Sequence, residues 1–256
     1  MMKNFILIMV CLLGYSQIQA QNTHFTTVGS VEFEKTINMF AMMKKQINKN
    51  NESYMQQAFD QYKKTQPQFK KLKSTLYFSG NKTLFKPDAE ESASPGFFSG
   101  AQSTQNNIIR TDLTTSSFIS QKKVFEETFL VKDSLRNINW KITDETRDIA
   151  GYTCRRANAI VLDSIYVVAF YTDEIAVSGG PESFTGLPGM ILGVALPHEN
   201  VTWFATKVNE VNVDPKNLNP PTKGKPVNNK QLRTTLQAAL KDWGDYAKES
   251  FKALLL

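Results

Sequence analysis

Gly186-Leu187-Pro188-Gly189-Met190-Ile191-Leu192, running on into Gly193-Val194-Ala195-Leu196, is a tight turn fused to an apolar run of strand length. Pro188 fixes its own φ and pushes Leu187 into an extended conformation, while Gly189 tolerates the positive φ that the third position of a type II turn needs. The chain is therefore expected to reverse at Leu187 to Met190. Beyond the turn, Met190 to Leu196 is interrupted only by Gly193, which suits a strand covered on both faces or bent at the glycine. No residue of the motif carries a reactive side chain, so it reads as architecture and not as a binding loop.

Strand patterns recur on both sides of this segment. Val31 to Thr36 begins in alternation, with Val31 and Phe33 on one face. Leu72 to Phe78 and Thr83 to Phe85 flank Ser79-Gly80-Asn81-Lys82, the chemistry of a hairpin turn. Further strands are expected at Asn107 to Leu113, Ser117 to Phe125, Glu127 to Lys132, Asn137 to Thr143, Tyr152 to Leu162, Ile165 to Thr172 and Val201 to Val211. Short spacings with no helix between them predict antiparallel pairing.

Helical periodicity is confined to the two ends. Ile37 through Tyr62 reads as one early helix, weakened by Asn48, Asn50 and Asn51 and ended by Pro67. Its Met39, Met42, Met43 and Met55 suit a packed face better than a soft metal site. Gln231 to Leu254 places Leu232, Leu236, Leu240, Trp243, Phe251 and Leu254 on one stripe, with Gly244 as its weak point. The fold class expected is α+β and β-rich: a single curved antiparallel sheet or half-barrel with an early helix and a C-terminal amphipathic helix. Residues 21–212 form the β domain, 213–228 a Pro/Lys-rich linker with Pro215, Pro220, Pro221 and Pro226, and 229–256 the terminal helix. Between the early strands, Lys86 to Asn106 reads as an exposed loop centred on Phe97-Phe98.

The amino terminus addresses the compartment. Lys3, the apolar run Phe5 to Leu13 and the small Ala20 before Gln21 form a signal-peptide pattern, so residues 1–20 are read as a cleaved leader and the chain as exported to the periplasm or cell envelope. No later stretch is apolar for the roughly 18 residues a membrane-spanning helix requires. The formal charge of +6 includes Lys3, which leaves +5 after cleavage, with lysines scattered among acids. That pattern argues against a nucleic-acid partner.

Cys11 leaves with the leader, so Cys154 is alone and has no internal disulfide partner. In Gly151-Tyr152-Thr153-Cys154 the alternation puts Tyr152 and Cys154 on one strand face, and a core-facing Tyr152 would bury the thiol with it. The alternative is a soft metal ligand or reactive thiolate, which would need His24, His198 or methionine nearby. No Gly-x-Ser-x-Gly elbow, His-Glu-x-x-His or phosphate-binding loop occurs. The carboxylates Asp144, Glu145, Asp173, Glu174 and Glu182 could form an acid pair, although each reads as a solvated acid at a strand end or turn.

Four further blocks, in order, are Trp140-Lys141-Ile142-Thr143-Asp144-Glu145, Ile149-Ala150-Gly151-Tyr152-Thr153-Cys154-Arg155-Arg156-Ala157, Phe170-Tyr171-Thr172-Asp173-Glu174-Ile175 and Gly180-Pro181-Glu182. With Gly186 to Leu192 they resemble the GLPGLI family of secreted bacterial proteins, found mostly in Bacteroidetes and of generally unassigned role. Met190 stands where that motif has leucine, and Ala176 where proline is expected. The resemblance marks Trp140, Gly151, Tyr152, Cys154, Tyr171, Gly180, Pro181, Gly186, Leu187, Pro188 and Gly189 as motif positions, mostly structural, and implies no catalytic residue, cofactor or metal. The functional expectation is a noncatalytic envelope binding or chaperone module for an apolar ligand or for a segment of an outer-membrane protein partner. Its concave face would be lined by Trp140, Tyr152, Tyr166, Phe170 and Trp203. The alternative is a metal-binding or redox protein using Cys154.

Overall fold

A computed structural model describes residues 25–88, 101–104 and 107–256. The expected leader, Cys11, His24 and the Phe97-Phe98 pair lie outside the described residues.

The chain begins with β1 (Val28–Asn38), α1 (Met39–Gln46), α2 (Glu52–Thr65), β2 (Phe69–Ser79) and β3 (Lys82–Pro87). After α3 (Ala101–Thr104) come β4 (Ile108–Asp112), β5 (Ser117–Val124), β6 (Glu127–Ser134), β7 (Lys141–Ile149), β8 (Tyr152–Val161), β9 (Ile165–Thr172), β10 (Met190–Leu196) and β11 (Val201–Asn209). β12 (Lys225–Val227), α4 (Asn229–Leu240) and α5 (Asp245–Leu255) end it. The twelve strands of the described residues join one sheet in the order β12-β6-β5-β4-β3-β2-β1-β11-β10-β9-β8-β7. Two antiparallel meanders, β1 to β6 and β7 to β11, are thus sewn together where β1 pairs with β11.

This order forces curvature. Strands β6 and β7 are ten steps apart across the sheet, roughly 48 Å if it were flat. They are nevertheless consecutive in the chain, and the connection from Ser134 to Lys141 reaches about 25 Å at full extension. A flat sheet cannot be closed by that crossover, so the sheet must roll. The β-rich, curved-sheet expectation is borne out.

Register identifies the inner face. Phe33 lies opposite Ser74 and Ala205, and Lys35 opposite Leu72 and Trp203, so these side chains point the same way. Further along the β1 to β6 meander the same face carries Ile109, Ser120 and Val131, and Lys122 and Phe129, in register. Helices α4 and α5 cover the β5–β6 end, where Leu232, Leu236, Leu240 and Leu254 pack on Val124, Phe129 and Val131. The terminal helices therefore dock on the sheet. The rest of the inner face is filled by the chain's own loop between β9 and β10, whose Ile175, Val177, Phe184 and Leu187 are fully buried.

Four local expectations need correction. The early helix is two helices that leave Ile37 in β1; between them, buried Asn51 accepts from Asn48 N at 2.8 Å and donates to Gln46 O at 2.9 Å, which closes a corner. The C-terminal helix breaks at Lys241–Gly244, with Gly244 at φ +57°. Residues 137–140 do not join a strand: Ile138 is buried and Trp140 turns inward, so β7 starts at Lys141 and continues through the charged run to Ile149. The exposed charges of β7 protect an edge that would otherwise invite pairing. Within the expected linker, Lys225–Val227 pairs in parallel with Phe129–Val131 and extends the opposite edge.

Candidate functional site

Motif residues from separate blocks converge around the β9–β10 loop. Trp140 Nε1 donates to Thr185 O at 2.9 Å, and its indole lies against Gly186, which sits at φ +94°. Ser178 Oγ donates to Leu187 O at 2.6 Å and accepts from Gly186 N at 3.2 Å. Gly189 N donates to Leu187 O at 2.8 Å, so the reversal closes as a three-residue turn on Pro188 and not as the expected type II turn. Gly189, at φ +143°, is packed so closely that a Cβ there would lie 2.0 Å from Thr172 O. Leu187 is buried and Pro188 exposed. Gly180 and Pro181 are buried beneath β10, and Tyr171 lies in the main core. Gly151 shares a two-residue hairpin turn with Ala150, both at positive φ (88° and 51°).

Glu182 is the buried acid of this loop. It is a non-glycine residue at φ +52°, it is buried, and its carboxylate accepts from Asn107 Nδ2 at 2.8 Å. Around it the inner face carries buried charge: Lys35, with its ammonium 5.0 Å above the Trp203 ring, and Lys122. Burial pushes the Lys122 ammonium down to about 8, against the opposing attraction of Glu182. A small cleft of about 30 Å³ opens among Lys35, Glu182, Phe184, Glu199, Trp203 and Lys252. At its rim Lys252 approaches buried Glu199 at 3.6 Å. Burial, then the hydrogen bond with Glu199 and its charge, raise the Glu249 carboxyl above its ordinary value.

The chemistry of this cluster is that of a socket for α5. Lys122 donates to Leu254 O at 3.4 Å, Arg136 to Leu255 O at 3.0 Å and Ser183 to Leu256 O at 3.1 Å. The last carbonyls of a helix have no partner within it and sit at the negative end of its dipole, so two cations and a hydroxyl from β5, the crossover and the loop satisfy them together. Burial and nearby Arg233 pull the Arg136 guanidinium below its ordinary value. Glu182 and Glu199 are committed to internal partners, leaving neither poised toward solvent.

The other sequence candidates do not assemble. Asp144, Glu145, Asp173 and Glu174 are exposed, and Glu145 pairs with Arg156 at 2.5 Å. Cys154 is fully buried, and its thiol is pushed up to about 12, chiefly by burial and then by Glu174 and Asp148. A thiol so held is neither a ready nucleophile nor a ready ligand, and among the described residues no group of three His, Cys, Asp or Glu could hold a metal ion. His198 is exposed in the 3₁₀ turn Pro197–Glu199, its carbonyl accepting from Lys45. Of the five aromatics expected to line a concave apolar face, Trp203 lies on the inner face. Phe170 stacks with Phe204 on the opposite face under Arg147, Tyr152 donates to Glu210 at 2.8 Å, and Tyr166 donates to Asn158 at 3.1 Å. With the loop in place, the cleft has room for a water or two and not for an acyl chain. Lys35, Lys122, Arg136 and Glu199 were not singled out from sequence. The signal for the two lysines was available, since each occupies an inward position of an otherwise buried alternation.

Comparison with known proteins places this architecture. The family model described as N-glycanase peptide, N-terminal domain, matches residues 101–232, more than half of the chain. The chain belongs to this family. No curated protein matches. The N-glycanase N-terminal domain seen here is similar to a solved structure of PNGF-II in space group P21, with a TM-score of 0.51 and 15% identity over 82% of this chain and 33% of that one. A second PNGF-II structure, in space group C2, gives 0.47 and 14% over 88% and 33%. The chain thus spans about a third of the length of the structures it matches. Among the described residues no helix of the N-glycanase N-terminal domain is long and apolar enough to cross a membrane.

Proposed function

We propose that this chain is an exported, noncatalytic accessory module that holds glycosylated protein for a separate glycan-processing unit. The observation that carries the reading is membership of the N-glycanase N-terminal domain family over residues 101–232, joined to an inner face whose carboxylates serve Asn107, Lys252 and helix docking. Under this reading the binding role expected from the sequence is kept and its occupant changes: a glycoprotein meets the outer surface, because the chain's own loop fills the interior. The leader pattern of residues 1–20 and the GLPGLI-like blocks fit the same proposal, the first as the export signal and the second as the frame around the loop.

A pull-down with an N-glycosylated protein and its enzymatically deglycosylated counterpart tests it. The glycosylated form should be retained preferentially, with no glycan released by the chain alone. Equal retention of both forms, or glycan release that Glu182→Gln abolishes, overturns the proposal.

A further inference from the structure

The turn between β5 and β6 has two residues, Phe125 and Glu126, because Val124 pairs with Glu127. Phe125 sits at φ +53°, a conformation that L-residues with bulky side chains avoid. The strained position points its ring outward, where it remains 47% exposed. Beside it, at the corner where α4 breaks before α5, Trp243 is 45% exposed. The two rings are 5.1 Å apart and tilted at 49°. Two distant segments therefore place aromatic faces together at the surface while leaving about half of each in water. Backbone strain held at a solvent-facing aromatic points to a use for that side chain.

We infer that Phe125 and Trp243 form a stacking platform for a neutral pyranose ring of a glycan. This rests on the accessory reading above and names the subsite through which it acts. A pyranose has an apolar C–H face and a rim of hydroxyls, and the electron-rich face of an aromatic ring attracts the first while polar groups beside it bond the second. The flanking residues supply that rim: Glu126 and Glu127 follow Phe125, and Lys241 and Asp242 precede Trp243 with side chains 71% and 82% exposed. With Lys123 the surround holds three acids and two bases, a net of −1. An anionic lipid surface or nucleic acid would require the opposite balance, whereas a neutral sugar requires none.

Calorimetric titration of the full chain with a chitobiose-cored oligomannose glycan reads the platform directly. Wild type should bind, Trp243→Ala and Phe125→Gly should bind at least tenfold more weakly, and Phe69→Ala, an exposed aromatic at the start of β2, should bind as wild type. Because glycine relieves the positive φ, Phe125→Gly should keep or raise the thermal midpoint, so its loss of binding is not unfolding. Wild-type affinity in both platform variants overturns the inference, as does a wild-type dimer in sedimentation that Trp243→Ala dissolves, which would give the surface to a second copy. If the chain retains glycoprotein but not the free glycan, the platform falls and the accessory reading stands; if it retains neither, both fall.

Discussion

Replacing Lys122 by methionine should remove a rise in stability with pH that wild type shows above pH 8. The ammonium is buried on β5 with its pKa lowered from 10.5 to about 8. The unfolded chain therefore binds more protons than the folded one between those values, so stability increases as pH rises through this window and the cost of burying the charge is fully present below it. A difference of about two and a half pH units corresponds to roughly 3 kcal/mol, with a slope of at most about 1.4 kcal/mol per pH unit. Cys154 opposes this above pH 9: its folded value of about 12 lies above the ordinary 9.0, so the folded state holds a proton that the unfolded chain releases and stability falls. The measurement is accordingly urea unfolding between pH 7 and 10.5 in a Cys154→Ala background, with and without Lys122→Met. At pH 7 the methionine variant escapes the charge-burial cost but loses the bond to Leu254 O and the attraction between Lys122 and Glu182, losses of about 1–3 kcal/mol. Net stability at pH 7 should change by about 2 kcal/mol or less, so the slope decides. An unchanged slope above pH 8 in Lys122→Met would refute the placement of a charged, buried Lys122 in the helix socket.

Gly189→Ala should lower stability by about 3 kcal/mol or more in urea unfolding, because its Cβ would lie 2.0 Å from Thr172 O, on backbone that cannot swing away; a loss under 1 kcal/mol would mean the turn is free to shift. Cys154 should resist a thiol-reactive dye in the native state and react on unfolding, and native labelling at pH 8 would contradict its burial. Trp203→Phe should be neutral or mildly stabilising in thermal unfolding, since among the described residues the buried Nε1–H has no hydrogen-bond partner and phenylalanine removes it; a loss above 2 kcal/mol would show that this donor is satisfied, for instance by an ordered water in the cleft.

Much of the architecture was legible because β structure announces itself through short-range alternation and turn chemistry. Ile165–Thr172 and Met190–Leu196 occupy the residues expected of them, since both are apolar runs bounded by turn-forming residues. The asparagines at 48, 50 and 51 and the glycine at 244 signalled weak points that proved to be breaks between helices. β7 was harder to see, because an exposed edge strand needs no apolar residues and its charges resemble a loop. β12 was hidden by its single proline and lysine, Pro226 and Lys225, a composition that suits an edge. Of the candidate site, Glu182 was visible within a motif block, while Glu199 was not, since nothing near it in sequence indicates that Lys252 and Glu249 will pack against it.

The sequence by itself determined where the chain extends, where it reverses and which side chains share a face of each strand, because these follow from φ preferences and a period of two acting over a few residues. Only the tertiary structure decided that the inner face is closed by the β9–β10 loop, that the cations on it hold the end of α5, and that Phe125 and Trp243 meet at the surface. Those outcomes depend on rolling the sheet until segments more than a hundred residues apart touch, and no local pattern encodes which buried face will receive which partner.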